Sequence, residues 1–134
     1  MDRILVVCDF HSECSKAIET AIGLAGKNSK IFLLNIISEE YCREAGRKKC
    51  RAKIKEMKEE VRGRAGRIRE EGLKCRTMIR IGEPMREVPR ESKRLRCTFI
   101  VVEYKNNGIF RDYTIEEISD NIMNASSLPV MVVS

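Results

Sequence analysis

The sequence predicts a single α/β domain of 134 residues, an open five-stranded parallel sheet with helices on both faces. Apolar runs of strand length alternate with segments of helical periodicity, in the order βαβαβαβαβ. The first and second runs show no polar alternation, which is typical of strands buried on both faces. Right-handed crossovers, with a return that places strand four beside strand one, then give the strand order 3-2-1-4-5.

The first half of the chain opens with a strand over residues 3–8. Polarity begins at Asp9, and Ser12 is placed to cap a helix whose apolar residues recur until Gly26. A second buried strand is predicted over residues 31–37.

A long charged segment from about Glu39 carries one apolar stripe, formed by Cys50, Ile54, Met57, Val61 and Ile68. This spacing predicts a helix that packs by a single face. Gly63 and Gly66 each cost about 1 kcal/mol against alanine inside a helix. They therefore predict a close approach, a bend or a fraying end.

The second half begins with an alternating stretch over residues 73–81, which predicts a strand at a sheet edge. Pro84 suits the first turn of the next helix. Because Pro89 lacks a backbone donor, that helix either kinks or starts near Pro89. A central strand over 98–102, a helix over 113–125 and a short strand from Pro129 complete the domain.

Composition bounds the class of protein. Residues are 43% hydrophobic and 5% aromatic, without Trp, so the core must be aliphatic with Met and Cys. The first apolar run is too short for a signal peptide or a membrane span, and a cytoplasmic protein without membrane contact is expected. The six cysteines are scattered, several of them in apolar runs: Cys8, Cys14, Cys42, Cys50, Cys75 and Cys97. They are predicted to be reduced and mostly structural, a thermophilic host being the one setting that favours intracellular disulfides.

Charge is unevenly spread along the chain. Residues 43–96 hold 20 Lys and Arg against 9 Glu, a local net charge of +11, so the remainder carries −5 of the total of +6. The basic segment could pair with the acidic remainder, within the fold or across a dimer, or face a nucleic-acid backbone. A solvated helix face is favoured, because no aromatic residues interleave the charges and handedness places the two basic helices on opposite faces of the sheet.

The strand order predicts a ligand crevice where the carboxyl ends of strands one and four meet. Residues 9–12 and 103–108 would line it. Asp9 could contact a ligand there, or it could brace the turn that follows it.

Metal chemistry and cysteine catalysis are both weakly indicated at this crevice. Cys8, His11 and Cys14 have plausible ligand spacing, but no fourth ligand is visible and Cys8 belongs to a buried strand. We therefore predict no metal. Nothing local would activate a thiolate beside His11, so we predict no catalytic residue.

Several short motifs follow one another along nearly the whole chain: residues 4–9 with 12–17, 33–37, 82–84, 99–102 and 127–133. In this order and spacing they resemble the universal stress protein family. The resemblance implies a small Rossmann-like domain, similar to the adenine nucleotide alpha hydrolases, usually dimeric and induced under stress or growth arrest.

Many members of that family bind ATP through a loop of pattern G-x2-G-x9-G-[ST] after strand four. An Asp ending strand one and an aliphatic residue ending strand two complete the family's site, and by resemblance these are Asp9 and Ile36. The loop positions fall on Glu103, Asn106, Glu116 and Glu117, so the nucleotide signature is absent.

A phosphate loop needs glycines because backbone N–H groups must close on the anion, helped by a helix N-terminus. The carboxylates at these loop positions would repel a phosphate. Two like charges 4 Å apart cost about 1 kcal/mol in water and about 4 kcal/mol at an effective dielectric of 20. Lys105 and Arg111 offset part of this repulsion, and Gly108 supplies one tight turn. The candidate ligand residues are Asp9, Phe10, Ile36, Glu103, Lys105, Asn106, Gly108, Glu116 and Glu117.

The resulting hypothesis is a non-enzymatic, dimeric stress-response protein without a cofactor, which does not bind ATP tightly and acts through protein or small-ligand contacts. One alternative is a nucleotide-binding or slowly ATP-hydrolysing member with an atypical loop, and another is a basic nucleic-acid-associated protein. The last strand is apolar and at an edge, so it is predicted to pair with its copy in a homodimer through Pro129, Val130, Met131, Val132 and Val133.

Overall fold

The computed structural model describes residues 1–9 and 13–134 as alternating strands and helices. In chain order these are β1 (Arg3–Asp9), α1 (Ser15–Leu24), β2 (Lys30–Ser38), α2 (Glu39–Ala45), α3 (Arg47–Glu70), β3 (Lys74–Gly82), α4 (Pro84–Arg94), β4 (Phe99–Glu103), α5 (Ile115–Ser126) and β5 (Val130–Val133).

The five strands form one parallel sheet in the order β3-β2-β1-β4-β5, which confirms the predicted fold class and strand order. Asp9 at the end of β1 lies opposite Ile36 of β2, and Val7 lies opposite Val102 of β4. Chain direction around the sheet therefore reverses between β1 and β4, and their carboxyl ends open the crevice that the sequence predicted.

Side chains of the inner strands alternate between two apolar cores, one on each face of the sheet. Leu5 and Val7 of β1 pack on the face covered by α4 and α5. Ile4 and Val6 pack on the face covered by α1 and by Val61 and Ile68 of α3. Burial on both faces explains the continuous apolar runs, and the two basic helices α3 and α4 do lie on opposite faces.

The charged segment after β2 differs from its prediction in two ways. It is not one helix, because Gly46, with a φ of 90°, separates α2 from α3. Gly63 and Gly66 do not interrupt α3, and no heavy atom lies within 4 Å of where their Cβ atoms would be. The predicted close approach is therefore wrong, and the apolar stripe on the opposite face keeps the helix continuous.

The helix after β3 begins at Pro84, as its position in the first turn requires. It continues through Pro89 to Arg94, so the alternative start near Pro89 is wrong. Val88 and Pro89 are both buried, and this burial outweighs the backbone hydrogen bond that Pro89 cannot make.

The prediction that all cysteines are reduced is wrong. Cys8 is joined to Cys14 and Cys42 to Cys50, while Cys75 and Cys97 are free thiols. Each bridge joins two elements that turn back on each other: β1 with the start of α1, and α2 with α3. The predicted cap at Ser12 lies outside the described residues, and Cys14 is the N-cap residue of α1.

Candidate functional site

Asp9 ties the end of β1 to the loop that follows β4. Its side chain is buried, and its Oδ2 atom accepts a hydrogen bond of 2.6 Å from the backbone N–H of Ile109. The loop comes so close that a Cβ atom at Gly108 would overlap the Asp9 carboxylate. The close packing of Asp9 against the loop therefore leaves no room for a side chain at Gly108.

Glu103 makes the corresponding contact from the end of β4. It is 3% exposed, and its Oε1 atom accepts a hydrogen bond of 2.9 Å from the backbone N–H of Ala17, in the first turn of α1. A helix N-terminus carries partial positive charge and unpaired N–H groups, and it is where a phosphate would bind. In this protein, one of these donors already serves an internal carboxylate.

Arg64 is a buried positive charge whose pKa is influenced by both carboxylates, and it was not among the residues predicted from the sequence. Its guanidinium is buried in α3, donates a hydrogen bond of 2.9 Å to Oδ1 of Asn35, and lies 3.6 Å from Glu60. Burial lowers the pKa of Arg64, whereas the charges of Glu60, Glu103 and Asp9 act to raise it. The signal that could have revealed it is its spacing of three residues from Val61, within the apolar stripe.

Two apolar side chains of the loop are buried in the core on one face of the sheet. Phe110 is 1% exposed and Ile109 is buried beside it, in the same core as Ile36. Two turns shape this part of the loop, closed by hydrogen bonds from Gly108 N–H to the Lys105 carbonyl and from Arg111 N–H to the Gly108 carbonyl. Two adjacent apolar residues within a polar loop were the sequence signal for this buried pair.

The other predicted ligand residues differ in their exposure and contacts. Asn106 and Glu116 are exposed, and Lys105 is half-buried. Glu117 completes a capping box, in which it exchanges hydrogen bonds of 3.0 and 3.1 Å with Thr114 at the start of α5. Phe10 lies outside the described residues, as does His11.

The cysteine pair at this site is unsuited to metal binding. Cys8 and Cys14 are bonded to each other, so neither offers a thiolate. In the ranges 1–9 and 13–134, no group of three His, Cys, Asp or Glu side chains is arranged to hold a metal ion.

An open cavity of about 240 Å³ lies beside the loop, at the carboxyl ends of β2 and β3. Its walls carry both signs of charge, from residues such as Glu39, Arg43 and Arg111. Arg111 lies 3.6 Å from Glu40, and the Tyr113 hydroxyl donates to Glu83 at 3.2 Å. Burial and the Glu83 carboxylate both raise the pKa of Tyr113.

Some basic residues of α3 pair with carboxylates on α3, just after its end or on α1. Exposed pairs join Lys53 to Glu56 and Arg62 to Glu59, while Arg67 bonds both Glu19 and Glu71. This is the pattern of a solvated helix face. Within the described part of the chain, no helix is both long enough and apolar enough to cross a membrane.

The comparisons agree with this architecture. The model of the universal stress protein family matches residues 1–134. The structure is similar to UspA of Lactobacillus plantarum (15% identity, TM-score 0.80, covering 99% of this chain and 97% of that one). It is also similar to a universal stress protein family protein of Arabidopsis thaliana with AMP bound, at 19% identity and a TM-score of 0.65, covering 99% of this chain and 91% of that one. A third similar structure is the universal stress protein of Archaeoglobus fulgidus in complex with dAMP, at 16% identity and a TM-score of 0.64, covering 100% of this chain and 98% of that one. No curated protein matches the sequence.

Proposed function

The chain belongs to the universal stress protein family, and from this premise we propose that it acts as a non-enzymatic, dimeric stress-response protein that does not bind ATP tightly. The observation that carries the proposal is the closure of the crevice by the protein's own groups. Asp9 holds the loop at Ile109, and Glu103 holds the first turn of α1 at Ala17.

A triphosphate entering this crevice would meet two energetic costs. It would have to displace the buried Glu103 carboxylate from α1, or lie against it, and like charges near 4 Å cost about 4 kcal/mol at an effective dielectric of 20. It would also have to move the buried Phe110. The internal bonds are intramolecular and therefore do not lose translational entropy, which an incoming ligand must lose.

Calorimetric titration with Mg·ATP tests this proposal, together with analysis of any nucleotide released when the purified protein is denatured. We expect neither heat of binding nor released nucleotide. The matched variant restores the family's loop pattern by Glu103→Gly, Asn106→Gly, Glu116→Gly and Glu117→Ser, and it should gain affinity. Saturable ATP binding by the wild-type protein would refute the proposal.

The alternative is a nucleotide-binding member with an atypical loop. It is favoured by the AMP and dAMP complexes of the two relatives and by the placement of Asp9 opposite Ile36. A monophosphate has less charge to accommodate than ATP, so the same titration should be repeated with AMP. Binding of AMP that is lost in Asp9→Ala would favour this alternative.

We further propose that the homodimer forms through β5. This strand pairs only with β4 among the described strands, and Met131 is 42% exposed on it. Met131→Lys should give monomers in size-exclusion chromatography with light scattering, because a charge would enter an apolar strand pair. Ile81→Lys, at a residue 43% exposed on the opposite edge strand, should remain dimeric. An intact Met131→Lys dimer would exclude this interface.

Localisation and macromolecular partners also remain proposals. A cytoplasmic location without membrane contact fits the family and the charged surface. A protein partner at the crevice edge is favoured over nucleic acid, since the basic helices occupy opposite faces and pair with carboxylates. Retention of duplex DNA at low salt, steeply lost as salt rises, would favour nucleic acid instead.

A further inference from the structure

A second cavity, far from the crevice along the sheet, lies between α3 and the outer strand β3. We call it the α3–β3 groove; its volume is about 470 Å³. The groove lies on β3 at one edge of the sheet, and β2 separates β3 from β1 at the crevice described above. Val61 and Ala65 of α3, both buried, form its apolar floor.

The walls of the groove are basic. Lys58, Arg62 and Arg69 contribute from α3 and Arg80 from β3, while no Asp or Glu of the described residues lines the cavity. Arg62 and Arg80 each have a carboxylate partner outside the lining, Glu59 and Glu91. A guanidinium has five N–H donors, so these contacts use only part of the available hydrogen-bonding capacity.

Two carbonyl groups of the outer strand are already bonded to arginine. Arg69 donates to the Cys75 carbonyl at 2.9 Å, and Arg80 donates to the carbonyl of Ile79 at 3.0 Å. These bonds hold both guanidinium groups at the strand, on either side of Thr77. They also occupy acceptors that an added peptide strand would use, so strand addition at this edge is disfavoured.

The volume and lining match a small molecule better than a polymer. Ligand cavities of about 300–1,000 Å³ hold drug-sized molecules. Single-stranded nucleic acids are bound through aromatic stacking platforms, and in the part of the chain that the structure describes no aromatic side chain lines this groove. Basic walls over an apolar floor suit a compact organic anion with an apolar body.

We propose that the α3–β3 groove binds a small amphiphilic organic anion, whose phosphate-like or sulfonate-like head is held by Arg62 and Arg69 and whose apolar body lies on the buried floor. The proposal is independent of the state of the crevice. It holds whether or not the protein binds nucleotide there.

The test uses the full chain, with 8-anilinonaphthalene-1-sulfonate as the probe and inorganic pyrophosphate as the competitor. Backbone amide signals of Thr77 and Ile79 in nitrogen-15 NMR spectra report binding at the groove. Signals of Gly108 and Ile109 report on the crevice. We expect saturable shifts at the groove, reversed by pyrophosphate, with the crevice signals unchanged.

Two double variants with the same change in charge distinguish specific binding of the probe in the groove from non-specific attraction to the basic helix. Arg62→Gln with Arg69→Gln should weaken probe binding at least tenfold, the loss expected for charge-assisted hydrogen bonds. Arg51→Gln with Lys55→Gln changes α3 by the same charge at exposed positions that do not line the groove, and it should leave binding unchanged. Unchanged far-UV circular dichroism establishes that both variants fold.

Three outcomes would overturn the proposal. The first is the absence of saturable NMR shifts at Thr77 and Ile79, which would mean that the arginines only block strand addition at the sheet edge. The second is an equal loss in both paired variants, which indicates non-specific attraction by the basic helix. The third is displacement of the probe by a duplex oligonucleotide with equal sensitivity to both pairs, which assigns these charges to nucleic acid.

Discussion

Replacement of Gly108 by alanine tests whether the protein's own groups close the crevice. The new methyl group would overlap the Asp9 carboxylate, which is buried and bonded to the Ile109 N–H. Either Asp9 or the loop must move, and the bond between them is lost. The substitution therefore perturbs the contact that closes the crevice without removing any existing atom.

The magnitude follows from that lost hydrogen bond. A bond to a charged group contributes about 1.5–3 kcal/mol, and a buried donor left without an acceptor costs about 1–3 kcal/mol. We expect Gly108→Ala to lower the free energy of unfolding by about 2 kcal/mol. With a urea m-value of about 2 kcal/mol/M, the unfolding midpoint should fall by about 1 M.

Urea denaturation, followed by circular dichroism, measures this effect against a matched control. Gly63→Ala is the same substitution at an exposed position of α3, where no heavy atom lies within 4 Å of the added Cβ. It should raise the free energy of unfolding by about 0.5–1 kcal/mol, because alanine favours the helix. The two glycines should therefore respond with opposite signs.

A double-mutant cycle with Asp9→Ala identifies the partner in the clash. In the Asp9→Ala background the carboxylate is gone, and Gly108→Ala should be close to neutral. If Gly108→Ala is as stable as the wild type, or destabilises equally in both backgrounds, the proposed packing of Asp9 on the loop is wrong.

Three further predictions concern the rest of the fold. The protein unfolded without reductant should expose two thiols, Cys75 and Cys97, and the reduced, unfolded protein should expose six. In the folded state Cys75 and Cys97 should react slowly, because burial raises the pKa of each thiol to about 11. Glu91→Gln should cost about 1–3 kcal/mol at neutral pH and reduce the loss of stability in acid. Burial works to raise the pKa of Glu91, but hydrogen bonds from Arg94 and Arg80 hold that pKa below its ordinary value. The stability that ionised Glu91 contributes is therefore complete above the unfolded pKa of about 4.3 and is lost as pH falls through the lower folded pKa. Thr114→Ala should cost about 1 kcal/mol by removing the cap of α5.

Each of these predictions has a control and a contrary result. Six reactive thiols in the unreduced, unfolded protein would show that the disulfides do not form. Glu70→Gln, at an exposed residue of α3, should leave the acid dependence unchanged; an equal effect at both positions would contradict the role of Glu91. Thr114→Ser keeps a hydroxyl and should retain most of the capping energy, so a loss equal to that of alanine would exclude the cap.

Much of the fold could be predicted because its determinants are local. Runs such as residues 4–8 and 31–37 are apolar without alternation, of strand length and rich in β-branched residues, which is typical of a strand buried on both faces. Pro84 marked a helix start, and Gly26 followed the end of α1. The boundaries that failed depended on tertiary contacts: Gly46 breaks the charged segment where α3 turns to pack by its stripe, and burial holds Pro89 within α4.

The site was predicted in location, but not in detail. The strand order put Asp9 and Glu103 at the crevice. Arg64 was missed because it lies 55 residues from Asp9 in sequence, and its burial depends on where α3 packs. The prediction that the cysteines are reduced failed for the same reason. A disulfide requires two Cα atoms to come close, and those of Cys8 and Cys14 are 5.4 Å apart.

The sequence alone determined the α/β class, the strand order, the family and the loss of the glycine pattern, because periodicity and short motifs are properties of neighbouring residues. Only the tertiary structure decided what occupies the place of those glycines. Asp9 and Glu103 accept hydrogen bonds from backbone N–H groups distant in sequence, their charges act on the buried Arg64, and Phe110 of the loop is buried. These contacts depend on long-range packing, and no local pattern in the sequence specifies them.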